Sequence, residues 1–250
     1  VIIDTDDKKR ILKGFESNIA TPVLASEISN FKNSLLSVED AAHHAAIEID
    51  EHKFKDGYYA RLANIYKLYE EYLAANNLVD FDDLLCLSYK ILDEDEALAR
   101  EISQRYAYIM VDEYQDVNRV QEAILELVSK PDNRFMVGDV KQSIYGFRLA
   151  DPSLFREKYE AYAEGKCGER IVLAENFRSR DEVLSFTNKV FQQIMNKELG
   201  QVEYDDVAAL KTGNLSYSQD DDKSSEIILI EDVDLDESTD DLEDTEGFEK

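Results

Sequence analysis

The feature that most constrains this chain is a short apolar segment that ends in two adjacent carboxylates. Residues 106–111 consist of Tyr, Ala, Ile, Met and Val, and Asp112 and Glu113 follow directly. This composition predicts a strand buried on both faces of a parallel α/β sheet. Ligands of such sheets bind at the carboxyl ends of the strands, where the two acids lie. Because adjacent carboxylates repel each other, their position indicates that a cation binds nearby.

Metal-assisted hydrolysis of a nucleotide is the chemistry that uses such a pair. One carboxylate holds Mg²⁺, directly or through water, and the next polarises the attacking water. The alternative is a strand that simply ends in an acidic turn. Two more strand-like segments favour hydrolysis, because residues 135–137 lead into a loop with Gln142, and residues 171–173 lead into a loop with Arg178. An acid pair, an amide and an arginine are the components of a phosphoryl-transfer site.

Three of these segments resemble motifs of a known family. Residues 112–116 (Asp-Glu-Tyr-Gln-Asp), 137–148 (Val-Gly-Asp-Val-Lys-Gln-Ser-Ile-Tyr-Gly-Phe-Arg) and 175–179 (Glu-Asn-Phe-Arg-Ser) are similar to motifs II, III and IV of superfamily 1 DNA helicases of the UvrD, PcrA and Rep type. Residues 80–84 (Asp-Phe-Asp-Asp-Leu) resemble a segment that precedes motif II in this family. The order and spacing of the motifs fit the family from about residue 20 to residue 213.

The resemblance implies a role for five residues of a nucleotide site that takes ATP and Mg²⁺. Asp112 would coordinate Mg²⁺, and Glu113 would act as the general base for the hydrolytic water. Gln142 would contact the γ-phosphate, and Phe177 would stack on the adenine. Arg178 would reach the γ-phosphate as an arginine finger.

The resemblance also implies DNA contacts in the loop after Gln142. Tyr145 and Phe147 would stack on bases, which gives affinity without sequence preference. Arg148 would contact a phosphate or the acid pair. Three further residues would support the nucleotide site from behind it: Gln115, Asp116 and Asp139.

The fold implied by the resemblance is α/β, a partial RecA-like P-loop NTPase motor core with a parallel sheet, flanking helices and an all-helical 1B insertion. Residues 1–66 would be 1B-like, residues 67–172 the second half of domain 1A, and residues 173–250 the start of domain 2A, ending in an acidic loop.

Apolar spacing and capping signals predict the helices. The predicted helices cover residues 6–15, 25–35, 58–75, 84–92, 119–129, 152–162 and 181–195, with Ser37 as the N-cap of another. The buried face of the last helix is predicted to hold Val183, Phe186, Val190 and Ile194, and residues 226–231 are predicted to form a strand. For Asp80, Asp82 and Asp83 two interpretations stay open: they cap the following helix, or they organise the nucleotide and DNA side of the domain.

The composition bears on partners and location. The net charge is −27, which argues against tight DNA binding by this chain alone because phosphate binding needs basic surface. Much of the excess negative charge lies in residues 220–250, and this composition predicts a solvated or disordered segment. No apolar run of about 18 residues and no signal peptide occur, so we expect a cytoplasmic protein without membrane contact.

The implied function is that of a piece of an ATP-dependent 3′→5′ DNA helicase in double-strand break repair. Residues 140–155 and 202–211 look most like the AddA branch, which implies a nuclease domain outside the chain and an AddB-like partner. Partners would include single-stranded and duplex DNA. The alternatives are a UvrD/PcrA-type repair helicase without a nuclease and a non-catalytic interaction module. The chain has no Gly-x-x-x-x-Gly-Lys-Ser/Thr loop and no counterpart of motifs V and VI, so we expect it to be inactive alone.

Overall fold

A computed structural model of the protein describes residues 1–43, 57–143, 146, 149–196, 204–206, 208–217 and 225–228. The chain forms two compact units, Val1–Val172 and Leu173–Lys250. Within the described residues, no helix has both the length and the apolar character needed to cross a lipid bilayer.

The first half of unit one is helical. Its helices are α1 (Thr5–Lys13), α2 (Thr21–Asn33), α3 (Tyr58–Ala75), α4 (Phe81–Glu94) and α5 (Glu96–Arg105). Residues 38–43 are also helical, and the predicted cap is confirmed because the Ser37 hydroxyl accepts a hydrogen bond from the Asp40 amide. The predicted bounds of α3 are confirmed, and the predicted domain boundary after residue 66 falls inside this helix.

The core of this region lies between α1, α2 and α3. α3 turns an apolar stripe toward this core. Its buried members are Leu62, Ile65, Tyr66, Tyr69 and Leu73. They pack against Leu12 of α1 and against Leu24 and Ile28 of α2. Burial of apolar side chains of this size contributes about 1.5–3 kcal/mol each.

A buried lysine connects this core to the start of α4. The Nζ atom of Lys32 lies 3.2 Å from Asp80, 2.5 Å from Asp83 and 2.8 Å from Glu70. Burial alone would lower the pKa of Lys32, but the three carboxylates outweigh it and raise the pKa well above its usual value. The ammonium group therefore stays charged inside the protein.

A second lysine contacts the same oxygen of Asp80, Oδ2. The Nζ atom of Lys8 is 3.1 Å from Asp80 and 2.9 Å from Asp82, and it donates a hydrogen bond to the Ser29 hydroxyl. Burial would raise the pKa of Asp80, but the two lysines outweigh it and lower the pKa to about 2. This carboxylate therefore stabilises the fold at neutral pH, and the stabilisation is lost as the pH falls from 3.8 toward about 2.

The capping interpretation is confirmed for Asp80 and Asp83, whereas the Asp82 side chain binds Lys8, Ser29 and Asn33. Asp80 is the N-cap, and its side chain accepts from the Asp83 amide while the Asp83 side chain accepts from the Asp80 amide. This reciprocal arrangement satisfies two amides at the start of the helix.

The second half of unit one is a β-α-β arrangement followed by a helix. Its elements are β1 (Ile109–Val111), a 3₁₀ turn (Tyr114–Asp116), α6 (Arg119–Val128), β2 (Arg134–Met136), a second 3₁₀ turn (Val140–Gln142) and α7 (Pro152–Ala163). The two strands pair in parallel, with Met110 opposite Phe135. The parallel arrangement predicted from the sequence is thus confirmed for these strands.

The prediction that β1 is buried on both faces is wrong for the described part of the chain. Met110 is 77% exposed and Phe135 is 55% exposed, whereas their neighbours along each strand are half-buried. Successive side chains of a strand point to opposite faces, so the described residues cover only one face of this sheet.

The described residues of unit two form a short parallel pair of strands and one helix. Its elements are β3 (Glu175–Asn176), α8 (Asp181–Ile194) and β4 (Lys211–Thr212), with β3 parallel to β4. The strand predicted at residues 171–173 is wrong, because these residues are exposed and not paired, and pairing begins at Glu175. Of the strand predicted at 226–231, residues 226–228 form no strand pairing with the described residues, and residues 229–231 lie outside the described part of the chain.

The buried face of α8 differs in part from the predicted one. Phe186 and Val190 are half-buried, but Val183 and Ile194 are exposed, and Leu184, Asn188 and Phe191 also face inward. Asn188 decides this orientation, because its side chain accepts hydrogen bonds from the Tyr204 hydroxyl and the Leu210 amide and donates to the Leu210 carbonyl. A polar side chain with these partners can be buried, which hydrophobic spacing alone does not reveal.

We predict that Lys32→Met lowers the free energy of unfolding by about 3–5 kcal/mol, because it leaves buried carboxylates without their cation. Urea unfolding followed by circular dichroism measures the change. Lys67→Met is the matched control, since Lys67 forms an exposed ion pair with Glu71 and should change stability by no more than about 0.5 kcal/mol. Equal effects of the two substitutions would contradict the role given to Lys32.

Candidate functional site

The candidate site forms where two parallel strands end. Asp112 and Glu113 follow β1, and Gly138 and Asp139 follow β2. The backbone joins the two loops, because the Val137 amide donates to the Val111 carbonyl and the Tyr114 amide donates to the Val137 carbonyl, both at 2.8 Å. The first two of the three predicted strand-and-loop units therefore meet at one edge of the sheet.

The acid pair is accessible and its backbone is strained. Asp112 and Glu113 are both exposed, and the Oδ1 atom of Asp112 accepts a hydrogen bond from the Glu113 amide. Glu113 has φ 49° and ψ 44°, in the left-handed region. This conformation costs a residue with a Cβ about 1–2 kcal/mol, and such strain is concentrated at functional sites.

Gln115 lies beneath the acid pair and contacts both loops. Its side chain is almost fully buried, with 1% of the residue exposed. The Nε2 atom donates to Oε2 of Glu113 at 2.7 Å, and the Oε1 atom accepts from the Asp139 amide at 3.0 Å. The sequence assigned Gln115 only a supporting position, and these two contacts specify which groups it supports.

Asp139 continues this connection into the second loop. It is the N-cap of the 3₁₀ turn that ends at Gln142, and its Oδ2 atom accepts from Nε2 of Gln142 at 3.1 Å. Burial would raise the pKa of Asp139, but hydrogen bonds from Lys141 and Gln142 outweigh it and lower the pKa. The carboxylate is therefore ionised and holds the turn that carries Gln142.

Asp116, the third supporting residue, has a different environment. Partial burial, together with the negative charge of Glu113, raises the pKa of its carboxyl group. Its Oδ1 atom has no hydrogen-bond partner among the described residues.

A Mg²⁺ ion at this site would take few of its ligands from the protein. Within the described ranges, no three or more His, Cys, Asp or Glu side chains are grouped as metal ligands. Mg²⁺ commonly keeps several waters and binds through one or two carboxylates together with substrate phosphates. Asp112 is exposed at the end of β1 and can reach such an ion, so it meets this requirement.

The other two nucleotide-site candidates lie in unit two. Phe177 and Arg178 follow β3 and are both exposed. The Asn176 side chain accepts hydrogen bonds from the amides of Arg178 and Ser179, and the Tyr217 hydroxyl donates to the Arg178 carbonyl. These contacts fix the backbone of the loop that presents both side chains.

The three predicted DNA contacts, Tyr145, Phe147 and Arg148, lie outside the described residues. The ends of their loop are described, and both are attached to the segment after the acid pair. The Ser143 hydroxyl donates to the Gln115 carbonyl at 3.5 Å, and the Asp151 amide donates to the Val117 carbonyl at 3.0 Å.

One residue of this site received no role from the sequence. A Cβ atom at Gly138 would lie 2.5 Å from Oε1 of Gln115 and 3.1 Å from the Tyr114 amide nitrogen. A side chain there would displace the Gln115 amide. The sequence could have indicated this role, because Gly138 lies directly between a strand and Asp139. Glycine often occupies such positions where another part of the chain approaches the backbone closely.

The chain is similar to a family of known helicases over most of its length. A family profile for the UvrD/REP helicase N-terminal domain matches residues 2–163. Three curated proteins that are named as the A subunit of an ATP-dependent helicase/nuclease are similar to it. The one from Alkaliphilus metalliredigens is 44% identical over 88% of the chain, the one from Enterococcus faecalis 50% over 62%, and the one from Desulforamulus reducens 47% over 74%. The matched segments cover 19%, 13% and 16% of these relatives, so the chain spans less than a fifth of their length.

We predict that Glu113→Gly is more stable than Glu113→Ala by about 1 kcal/mol, because glycine adopts the left-handed backbone without a Cβ penalty. The same pair of substitutions at Glu126, an exposed residue inside α6, should give the opposite order, with glycine less stable by about 0.5–1 kcal/mol. Urea unfolding of the four variants measures both differences. If glycine is the less stable replacement at both positions, the backbone of Glu113 is not left-handed.

Proposed function

The chain belongs to the UvrD/REP helicase family, and we propose that it is part of an ATP-dependent DNA helicase of the AddA type that acts in double-strand break repair. The family implies a RecA-like helicase fold, with which the parallel strands and flanking helices agree. The relatives share a name that couples a helicase with a nuclease, which favours the AddA branch over a UvrD/PcrA-type enzyme without a nuclease. The same name supports an AddB-like protein as the partner.

The observation that carries this proposal is the hydrogen-bonded connection between the two loops at the ends of β1 and β2. The exposed acid pair and the turn that carries Gln142 are joined through Gln115 and Asp139. A non-catalytic module has no need for two exposed carboxylates on a strained backbone beside an amide. This geometry therefore favours hydrolysis over a purely structural role.

In the proposed reaction each residue of the first unit has one task. Asp112 holds Mg²⁺, which when bound neutralises charge on the phosphates of ATP. Glu113 accepts a proton from the attacking water, and the hydrogen bond from Gln115 orients its carboxylate for that step. Gln142 contacts the γ-phosphate with an amide that both donates and accepts hydrogen bonds.

Two residues of the second unit keep the roles that the motif resemblance implies. Phe177 presents an exposed ring for stacking on adenine, and Arg178 neutralises transition-state charge as an arginine finger. The exposure of both side chains and the fixed backbone of their loop support these roles. Tyr145, Phe147 and Arg148 are proposed to contact single-stranded DNA.

The proposal retains the domain assignment drawn from the motifs. Residues 1–66 would belong to a 1B-like helical insertion, residues 67–172 to domain 1A and residues 173–250 to domain 2A. Translocation would run 3′→5′ along the strand.

We predict that Glu113→Gln in the full-length protein lowers DNA-stimulated ATP hydrolysis by about 10²–10⁴-fold, because the amide keeps the shape of the side chain but cannot accept the proton. ATP binding should remain within a few-fold of wild type. Steady-state phosphate release and nucleotide titration measure the two quantities, and Glu126→Gln on the surface of α6 is the control. Turnover within tenfold of wild type would remove Glu113 from the mechanism.

We also predict that Arg178→Ala in the full-length protein lowers turnover by about 10³-fold or more, as for other arginine fingers, with little change in ATP affinity. Arg100→Ala is a suitable control, because Arg100 is exposed and pairs only weakly with Glu96 on the same helix. Unchanged turnover in Arg178→Ala would show that another cation serves the γ-phosphate.

A further inference from the structure

We infer that Gln115 is a positioning residue that sets the orientation of Glu113 and makes it depend on the turn that carries Gln142. The inference rests on the proposed function, because it concerns how the general base of that reaction is held. Hydrogen bonds within the protein would then connect Glu113, the proposed base, to Gln142, the residue proposed to contact the γ-phosphate.

The side chain of Gln115 uses both ends of its amide. The nitrogen donates to the Glu113 carboxylate and the oxygen accepts from the Asp139 amide. Among side chains of this length, Glu can only accept, Lys can only donate and Met can do neither strongly. Only Gln satisfies both neighbours at once, so the identity of the residue follows from its two contacts.

Burial makes these contacts matter energetically. Because Gln115 is almost fully shielded from water, an amide group that lost a partner would keep the cost of its desolvation. The amide therefore resists rotation away from Glu113. The Glu113 carboxylate is itself exposed, so Gln115 supplies a rigid contact to a side chain that water would otherwise leave free to change rotamer.

Gly138 shows that the protein makes room for this amide. The Cβ of any other residue at this position would lie 2.5 Å from Oε1 of Gln115, closer than van der Waals contact permits. The backbone on either side is fixed by the bond between the Tyr114 amide and the Val137 carbonyl. Since neither strand end can shift easily, a methyl group at Gly138 would push the Gln115 amide out of place.

The connection reaches Gln142 through one more residue. The backbone amide of Asp139 donates a hydrogen bond to Gln115, and its carboxylate accepts one from Nε2 of Gln142. Three hydrogen bonds thus run from Glu113 through Gln115 and Asp139 to Gln142. When Gln142 turns its amide nitrogen toward a γ-phosphate, it must release Asp139, and the change at Asp139 is transmitted to the side chain that holds the base.

The test is a double-mutant cycle in the full-length protein that combines Gln115→Met with Glu113→Gln. Single-turnover ATP hydrolysis and ATP affinity are measured for wild type, each single variant and the pair. Gln115→Met alone should lower the rate of hydrolysis by about 10–10²-fold, as expected for a misplaced catalytic group, while the affinity for ATP stays within about threefold. In the Glu113→Gln background, Gln115→Met should lower the rate by less than about threefold, because the base it positions is already absent.

Two further variants separate positioning from packing. Gly138→Ala should reproduce the kinetic effect of Gln115→Met, since it displaces the same amide without removing it. Gln121→Met is the matched control, because the Gln121 side chain also accepts a hydrogen bond from a backbone amide, that of Asn118, but does not touch Glu113. It should leave the rate of hydrolysis within about threefold of wild type. If Gln115→Met does not give folded protein, Gln115→Glu, which keeps the acceptor for Asp139 and loses the donor, replaces it in the cycle.

The outcomes are distinct. An equal loss of rate from Gln115→Met in both backgrounds, or no loss in either, would overturn the inference and leave the proposed function intact. A wild-type rate in Glu113→Gln would remove Glu113 from the proposed mechanism, and the inference with it. A loss confined to the background that contains Glu113 supports both.

Discussion

The buried ion pairs of Lys8 and Lys32 determine how α1 and α2 meet the start of α4 within the helical half of the first unit. Both lysines bind the carboxylates at the start of α4, so the register between α1, α2 and α4 is set by charge as well as by packing. A buried ion pair is weak evidence for net stability, since its desolvation is costly. Its effect here is geometric, because any sliding of these helices would leave a buried charge without a partner.

The same polar network extends toward the candidate site. The Asn33 amide nitrogen donates to Asp82, and its oxygen accepts from the side chain of Asn118. Asn118 is the N-cap of α6 and lies five residues after Glu113 in the chain. The helix that follows the acid pair is therefore tied to α2 and α4 by side-chain hydrogen bonds. Variants in this network are expected to disturb the position of the acids through α6, and not through contact with substrate.

Sequence patterns predicted where the helices and strands lie better than they predicted which side chains are buried and what those side chains contact. The bounds of α3 and the parallel pairing of residues 109–111 could be predicted from the positions of apolar residues. These positions follow the repeat of the helix or strand that contains them. The inward position of Asn188 on α8 could not be predicted in this way, because its hydrogen bonds to Tyr204 and Leu210 join residues that are distant in sequence. Likewise, the motif pointed to Asp112, Glu113 and Gln142, but the connection among them depends on the buried amide of Gln115, which no local pattern distinguishes from a surface glutamine.

The loop that contains Tyr145, Phe147 and Arg148 is held at both ends by the segment that follows the acid pair. Ser143 is attached to the Gln115 carbonyl, and Asp151 is attached to the Val117 carbonyl and pairs with Arg119 at 2.8 Å. Gln115 therefore contacts this loop with its backbone and Glu113 with its side chain. On the proposed function, a change at the γ-phosphate would reach the DNA-contacting loop through the residue that also orients Glu113. Hydrolysis and movement along DNA would then share one mechanical element, and neither process could be altered at Gln115 without affecting the other.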